Sequence, residues 1–431
     1  MKRIKYDRNT PFKLWLSYIN TIYPPSVDFS LERVIYVAKK LDVLNIPSFI
    51  FTVTGTNGKG STCITIEQLF LHSGYTVGLY TSPHLINYYE RIRINGKYIT
   101  NYIIYTTMFE KIELLRNNVI LTNFEFITLT ALLIFQELNL DVIILEVGIG
   151  GRLDPTNIIN PNIAVITNIN MDHIHILGKN RNDIALEKAG IFRKNISVII
   201  GEDKIPNSIY KLAYYLKNDL YRIRYEWFWY ITNNCWNLYD TKGNICNLPI
   251  SNVFVPNVAL GLEAFRISNF YYNKKNIVKA IEKIFIPGRL QTILYHPYII
   301  VDVAHNPHAT LVLYKRLKNI LSKRENGNIY AIIGMILNKD IKNTVFNLFG
   351  IIHQWYYTSL KSDNSVHTDV LKKYLPHNSV CCSSIDIALD ILIHKVSDKD
   401  IILVFGSFIA VSEAVVYIRT KYIFNNILIK N

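Results

Sequence analysis

The chain is 431 residues long, half of them hydrophobic and 19% charged, which excludes a disordered or fibrous protein and leaves room for two domains, each with its own core. The formal net charge of +14 favours anionic ligands such as polyphosphates or polycarboxylates, while the scatter of Lys and Arg, without a block of five, argues against a dedicated nucleic-acid surface. No run reaches the ~18–20 apolar residues that span a bilayer, no signal peptide follows Met1-Lys2-Arg3, and Cys63, Cys235, Cys246, Cys381 and Cys382 make no CxxC pair, so a soluble, cytoplasmic protein without disulfide framework or zinc knuckle is expected.

Residues 1–48 read as two amphipathic helices, one with Trp15, Leu16, Tyr18 and Ile19 and one with Leu31, Val34, Ile35 and Ala38 behind Ser30 as N-cap. Residues 49–53 are short, β-branched and aromatic, a buried strand. Directly after them comes Gly55-Thr56-Asn57-Gly58-Lys59-Gly60-Ser61, then a helical pattern over 61–73. Strand, glycine loop, helix is the arrangement that turns backbone N–H groups and a helix N-terminus toward phosphate. Lys59 would add charge for the outer phosphates and Ser61 a hydroxyl for Mg²⁺. The loop departs from the usual spacing: Gly60 separates Lys59 from Ser61, and Gly55 stands only three residues before Gly58.

Strands at 75–80, 141–147 and 163–167 and helices at 126–138 and 182–192 follow, apolar strands alternating with helices as in a mostly parallel sheet. Residues 218–252, rich in aromatics and turns, read as a small antiparallel excursion, and helices at 258–267 and 276–285 come next. Ile286-Pro287-Gly288-Arg289 reads as a hinge; strands at 299–303, 329–334, 351–356 and 401–405 and a last helix at 408–420 form a second α/β series. The expected fold is α/β: a P-loop-type, mostly parallel sheet domain over 1–286 and a Rossmann-like α/β domain over 287–431.

Ligands of an open parallel sheet bind beyond the carboxyl ends of its strands. Ser82, Glu146 and His173 each follow a strand of the first domain, so they converge on the edge that carries the glycine loop, and Glu146 stands where a Mg²⁺ carboxylate belongs. Lys188 lies in a mostly apolar helical stretch, either snorkelling to water or held inside, where burial lowers its pKa and leaves an amine that CO₂ can carbamylate. Cys63, in the first turn after the loop, is read as a packing residue, with a lowered thiol pKa as the alternative. Asp302 and His305 again end a strand and enter a loop, and Arg289 at the hinge is placed to reach phosphate.

Together these stretches resemble the bacterial dihydrofolate synthase/folylpolyglutamate synthases of the Mur-ligase superfamily. The similarity runs in family order through residues 54–61, 82–85, 145–148, 151–154, 172–173, 187–193, 287–289 and 302–307, and the phosphate loop with its extra glycine is that family's form. The resemblance implies ATP and Mg²⁺, two ions, as cofactors. Asn57, Gly58, Lys59, Gly60 and Ser61 would cradle the triphosphate, and Asn257, Arg289 and Asp302 would complete the ATP site. Ser82, Glu146 and His173 would hold Mg²⁺, with Lys188 as the family's carbamylated lysine. The pterin site would map to Val27, Asp28 and Phe29, to Thr122, Asn123, Phe124 and Glu125, and to Leu153, Asp154 and Pro155, where Asn123 and Pro155 depart from the family's pattern.

The implied reaction is ADP-forming ligation of L-glutamate to dihydropteroate and to folates through an acyl phosphate. Lys59 and Arg289 would neutralise the transferring phosphoryl group, closure about Pro287-Gly288 would exclude water, and His305 would help to place glutamate. A monomer with no nucleic-acid or membrane partner is expected. The alternatives are a monofunctional folylpolyglutamate synthase, another Mur-type ligase, or, in a different class, a P-loop ATPase acting on nucleic acid.

Overall fold

The structure, a computed structural model, describes residues 6–23, 30–322, 324 and 327–423. The chain forms two compact units: Met1–Pro83 with Tyr88–Ile284, and His84–Asn87 with Phe285–Asn431.

In the first unit, β1 (Phe49–Thr54), β2 (Val77–Tyr80), β3 (Ile92–Ile94), β4 (Lys97–Tyr98), β5 (Val142–Glu146), β6 (Ile163–Ile166), β7 (Ser197–Ile200) and β8 (Asp219–Arg222) make one sheet in the order β4-β3-β2-β5-β1-β6-β7-β8. The pairings β2–β5, β5–β1, β1–β6, β6–β7 and β7–β8 are parallel; β2–β3 and β3–β4, at the edge, are antiparallel. The central strands β5, β1 and β6 are buried almost throughout, which explains their unbroken apolar runs. Ile50, Ile143 and Leu145 join one core cluster with the helices Phe12–Ile22, Glu32–Lys40, Tyr102–Arg116 and Asn123–Leu138. The helix Lys59–His72 instead packs beside Val255–Ile267.

Several boundaries differ from the sequence expectation, each for a local reason. Leu31 rather than Ser30 is the N-cap of Glu32–Lys40, although the Ser30 hydroxyl still accepts from Glu32 N–H at 3.2 Å. The helix expected from 126 begins at Asn123, because Thr122 and Glu125 close a reciprocal capping box. The strands β3, β4 and β7 escaped the sequence reading, and β8, inside the stretch 218–252 expected to be antiparallel, instead joins the main sheet parallel to β7; all four are two to four residues long, too short for a periodicity to show.

The antiparallel excursion is present as β9 (Trp227–Thr232), β10 (Cys235–Asp240) and β11 (Ile245–Pro249), in the order β11-β10-β9. Phe228, Tyr239 and Tyr230 stack across β9 and β10, with centroids 4.9 and 5.3 Å apart. Such cross-strand pairs are a main source of stability in a small sheet.

The second unit carries β12 (Gln291–Leu294), β13 (Tyr298–Asp302), β14 (Ile329–Ile333), β15 (Ile352–Tyr357), β16 (Val380–Cys381) and β17 (Ile401–Phe405), ordered β12-β13-β17-β14-β15-β16 and parallel except for β12. Alternation along the strands divides two cores. Ile299, Val301, Ile332, Ile402 and Val404 face the helices Ile385–Lys395 and Phe408–Ile423. Ile300, Ala331, Ile333, Ile401, Leu403 and Phe405 face Pro307–Leu321 and Ile341–Phe346. Cys381 and Cys382 are adjacent on and after an edge strand, one exposed and one buried.

Candidate active site

The carboxyl edge of the first sheet gathers its polar loops in spatial order β2, β5, β1, β6. Ser82 follows β2, Glu146 ends β5, the glycine loop follows β1, and residues 167–173 follow β6. The three strands read as successive in sequence are thus neighbours around β1, which brings the glycine loop between Glu146 and the loop of His173.

The glycine loop is shaped by positive backbone angles at Gly55 (φ 148°) and Gly58 (φ 84°), which L side chains rarely adopt. A Cβ at Gly55 would fall 1.8 Å from the Thr167 hydroxyl, and one at Gly58 2.4 Å from Asn257 Oδ1. The second contact puts the Asn257 side chain, from the first turn of Val255–Ile267, against the loop. Lys59 opens the helix Lys59–His72, and its ammonium donates to Gly55 O at 3.0 Å and toward Thr56 O at 3.5 Å, back over the loop. A Cβ at Gly60 would lie 3.4 Å from Glu146 Oε2, so the extra glycine sits directly against the Glu146 carboxylate. Asn57 N–H donates to Asn168 Oδ1 at 3.0 Å, which ties the loop to the residues after β6.

Glu146 is 4% exposed, and its Oε2 accepts from Ser82 N–H at 3.0 Å, joining the ends of β2 and β5. Lys188 is 2% exposed, so of the two readings for it the buried one holds. Burial first, then the charge of Lys59, pushes its amine down to about 7, against the opposing pull of Asp172. The backbone around it is anchored: Arg152 N–H donates to Glu187 O at 2.7 Å, and the Arg152 and Glu187 side chains pair at 2.7 Å. His173, N-cap of the short helix Ile174–Leu177, sits with Nε2 3.9 Å from Asp172 Oδ2. Cys63 is fully buried and burial pushes its thiol up, which supports packing over reactivity.

Val27, Asp28 and Phe29 lie outside the described residues. The rest of the expected pterin set makes contacts within the protein. Glu125 is committed to the capping box, with Thr122 N–H donating to it at 2.7 Å, and to an ion pair with Arg33 at 2.9 Å. Asp154, also buried, accepts from Gly148 N–H, Ile149 N–H, Thr156 N–H and the Thr156 hydroxyl at 2.7–3.1 Å, which fills its four lone-pair directions. It braces the loop after Glu146 and caps the 3₁₀ turn Pro155–Ile158, where Pro155 is suited to the first position. Phe124 stacks with Tyr80 at 5.9 Å and covers Gly148. Asn123 accepts from the Tyr88 hydroxyl at 3.0 Å and donates to Asn20 at 2.6 Å, and Leu153 is half-buried beside Asp154.

In the second unit, Asp302 ends β13 and is held by Leu290 N–H and Ala304 N–H, both at 2.8 Å. Burial raises its carboxyl pKa against the pull of Arg289. The Arg289 guanidinium lies 5.7 Å from the Phe408 ring centre, and His305 Nδ1 pairs with Val303 O at 2.8 Å. Arg316, which the sequence reading passed over, interacts with Asp302 and is pushed down in pKa by burial. Thr167, Asn168 and Asn170 were also missed, although a polar run directly after an apolar strand was the available signal.

Residues 53–223 match the Mur ligase middle domain and residues 288–408 the Mur ligase, glutamate ligase domain. A dihydrofolate synthase/folylpolyglutamate synthase of Buchnera aphidicola subsp. Acyrthosiphon pisum is 45% identical, over 94% of this chain and 98% of its own length. The solved structure of E. coli FolC in complex with DHPP and ADP is similar at a TM-score of 0.93 and 39% identity, covering 97% of this chain and 100% of that one. The bifunctional folylpolyglutamate synthase/dihydrofolate synthase from Yersinia pestis, complexed with AMPPNP and Mn ion, gives a TM-score of 0.90 at 36% identity, covering 96% and 99%.

Proposed function

The chain belongs to the dihydrofolate synthase/folylpolyglutamate synthase family of Mur-type ligases, and from that premise we propose that it joins L-glutamate to dihydropteroate, giving dihydrofolate, and to folates, extending their glutamate tails. It is an ADP-forming ligase that uses ATP and a divalent metal. One observation carries this: a phosphate-type glycine loop and the buried carboxylate of Glu146 share one sheet edge, and the buried amine of Lys188 lies within electrostatic reach of Lys59 and Asp172 there. The test is ADP release, which should require a pteroate or folate together with glutamate. Release stimulated by DNA or RNA and indifferent to glutamate would overturn the ligase. We place the enzyme in the cytoplasm as a monomer independent of nucleic acid and membrane; no described helix is long and apolar enough to cross a membrane.

The donor set suits Mg²⁺. No group of three His, Cys, Asp or Glu side chains gathers to cage a metal among the described residues, and Mg²⁺ characteristically takes one or two carboxylates with substrate phosphates and water. Glu146, Ser82 and His173 would hold it, and carbamylation of Lys188 would turn a buried cation into a second carboxylate-like group. Bound there, Mg²⁺ supplies charge neutralisation for the phosphates.

The substrate carboxylate attacks the γ-phosphorus of ATP, the bond to ADP breaks, and an acyl phosphate forms. Gly58, Lys59, Gly60 and Ser61 bind and orient the polyphosphate, the Lys59 ammonium neutralising charge that grows on the transferring group. The deprotonated amine of glutamate then attacks the acyl carbon and inorganic phosphate leaves. Arg289 and Asp302 are assigned to ATP and His305 to the placement of glutamate. Phe124 offers the pterin an aromatic face, while Asp154 holds the shape of the loop beneath it.

A further inference from the structure

Residues 54–57 and 167–170 are stitched together by hydrogen bonds between backbone and side chain. Thr56 N–H donates to Asn168 O at 3.0 Å, and the Thr56 hydroxyl exchanges with Asn170, donating to its carbonyl at 3.1 Å and accepting its N–H at 2.9 Å. Asn57 is held on both sides of its backbone by one side chain: Asn168 Oδ1 accepts its N–H at 3.0 Å and Asn168 Nδ2 donates to its carbonyl at 2.8 Å. The Thr167 hydroxyl donates to the same carbonyl at 2.6 Å and fills the space a Cβ at Gly55 would need.

Peptide geometry gives this clamp a consequence. In a trans peptide the C=O of one residue and the N–H of the next point in opposite directions. Two donors pinning the Asn57 carbonyl toward β6 therefore aim the Gly58 N–H away from β6. By the same geometry, tying Asn57 N–H to Asn168 turns the Thr56 carbonyl the other way, and the Lys59 ammonium lies 3.5 Å from it. Gly58 is the N-cap of Lys59–His72, so its N–H begins the row of donors at that helix start.

We propose that Thr167 and Asn168 are positioning residues for nucleotide binding, fixing the Asn57–Gly58 peptide so that the loop presents its donors to the polyphosphate before the ligand arrives. The inference rests on the nucleotide-binding part of the function above. It assigns these two residues no contact with the reacting atoms. Pre-organisation lowers the ordering cost of binding, so the effect falls on nucleotide affinity.

Calorimetric titration of the full chain with ADP, without pterin or glutamate, tests it directly. Asn168→Ala should weaken ADP binding about tenfold and Thr167→Val, which keeps the bulk but not the hydroxyl, about threefold to tenfold. Thr167→Ser should bind like the unmutated protein. The double variant should lose less than the product of the two, because both donors share one acceptor. In the ligase assay KM for ATP should rise in step while KM for the pteroate substrate stays within about twofold. Unchanged ADP binding in both single variants, with only a lowered melting temperature, would make the clamp a stability device and overturn the proposal. Should Asn168→Ala fail to fold, Thr167→Val against Thr167→Ser decides alone. Unmutated protein that binds ADP yet ligates no glutamate would overturn the ligase and leave the clamp standing; protein that binds no ADP would overturn both.

Discussion

At the carboxyl edge of the eight-stranded sheet, polar side chains are held by the backbone; where β10 meets the helix Val255–Ile267, buried ones are held by one another. Asp154 and Asn168 each engage several main-chain groups at 2.8–3.1 Å. Across the second region Asp240, Glu263 and Arg266 are almost wholly buried. Arg266 Nε stands 3.0 Å from Asp240 Oδ2, but neither that pair nor the Glu263 oxygens has a well-formed donor–acceptor bond. Burial, and then Asp240, pushes the Glu263 carboxyl up to about 9, so at neutral pH it is the protonated partner and can donate to Asp240. Lys242, from the turn after β10, donates to Arg266 O and Asn269 Oδ1 nearby. The difference teaches that backbone donors fix a geometry that chemistry can use, whereas two carboxyls against one arginine fix a proton and tie stability to pH.

The largest expected effect lies at the edge. Lys188→Ala should lower ligase activity at least roughly a hundredfold with little change in melting temperature, and short carboxylates should restore part of it. Lys188→Arg keeps a cation but forms no carbamate and should not recover. An intact mass lacking the carbamate under native conditions, with an active enzyme, would sink this assignment.

Asp154→Ala would take the acceptor from three backbone donors, Gly148, Ile149 and Thr156 N–H, of which the Thr156 bond is buried, at about 1–3 kcal/mol for a buried donor. Because that loop lies under Phe124, the loss in kcat/KM should be greater with dihydropteroate than with tetrahydrofolate. Steady-state comparison of the two substrates measures it. Equal losses would remove Asp154 from pterin discrimination, and no dihydropteroate activity in the unmutated protein would leave only the polyglutamylating reaction.

The seam should answer in stability rather than activity. A carboxyl whose folded pKa is raised from 4.5 to about 9 stabilises the fold most below 4.5 and loses that contribution as pH rises toward 9. The slope is about 1.4 kcal/mol per pH unit. Glu263→Gln, which keeps the donor without the charge, should flatten this decline between pH 5 and 9 in denaturant titrations and raise stability at pH 8. A change in KM for ATP in this variant would break the contrast between the two regions.

Smallest of all, Pro155→Ala should cost under about 1 kcal/mol, since it removes only a preset angle in the first position of a 3₁₀ turn. Thermal melting and relative use of the two pteridines should both move little. A large shift in substrate preference would mean that Pro155 shapes the pocket directly.

The strand–glycine loop–helix unit, the alternation of apolar strands with helices, and the place of Glu146 at a strand end were legible in the linear chain because hydrophobic period and glycine spacing are local properties, whereas the burial of Lys188 was not. Very short strands left no such trace. Neither did the functions of shared side chains. The reciprocal cap of Thr122 and Glu125 and the four donors that converge on Asp154 belong to the folded chain. Nothing in the spacing of Asp240, Glu263 and Arg266 announces a shared proton. Sequence by itself determined the types of the longer elements and the family resemblance, since those follow from neighbours along the chain. Only the tertiary structure decided how each buried polar group is satisfied, because its partners come from strands and helices far apart in sequence and burial removes the water that would otherwise serve.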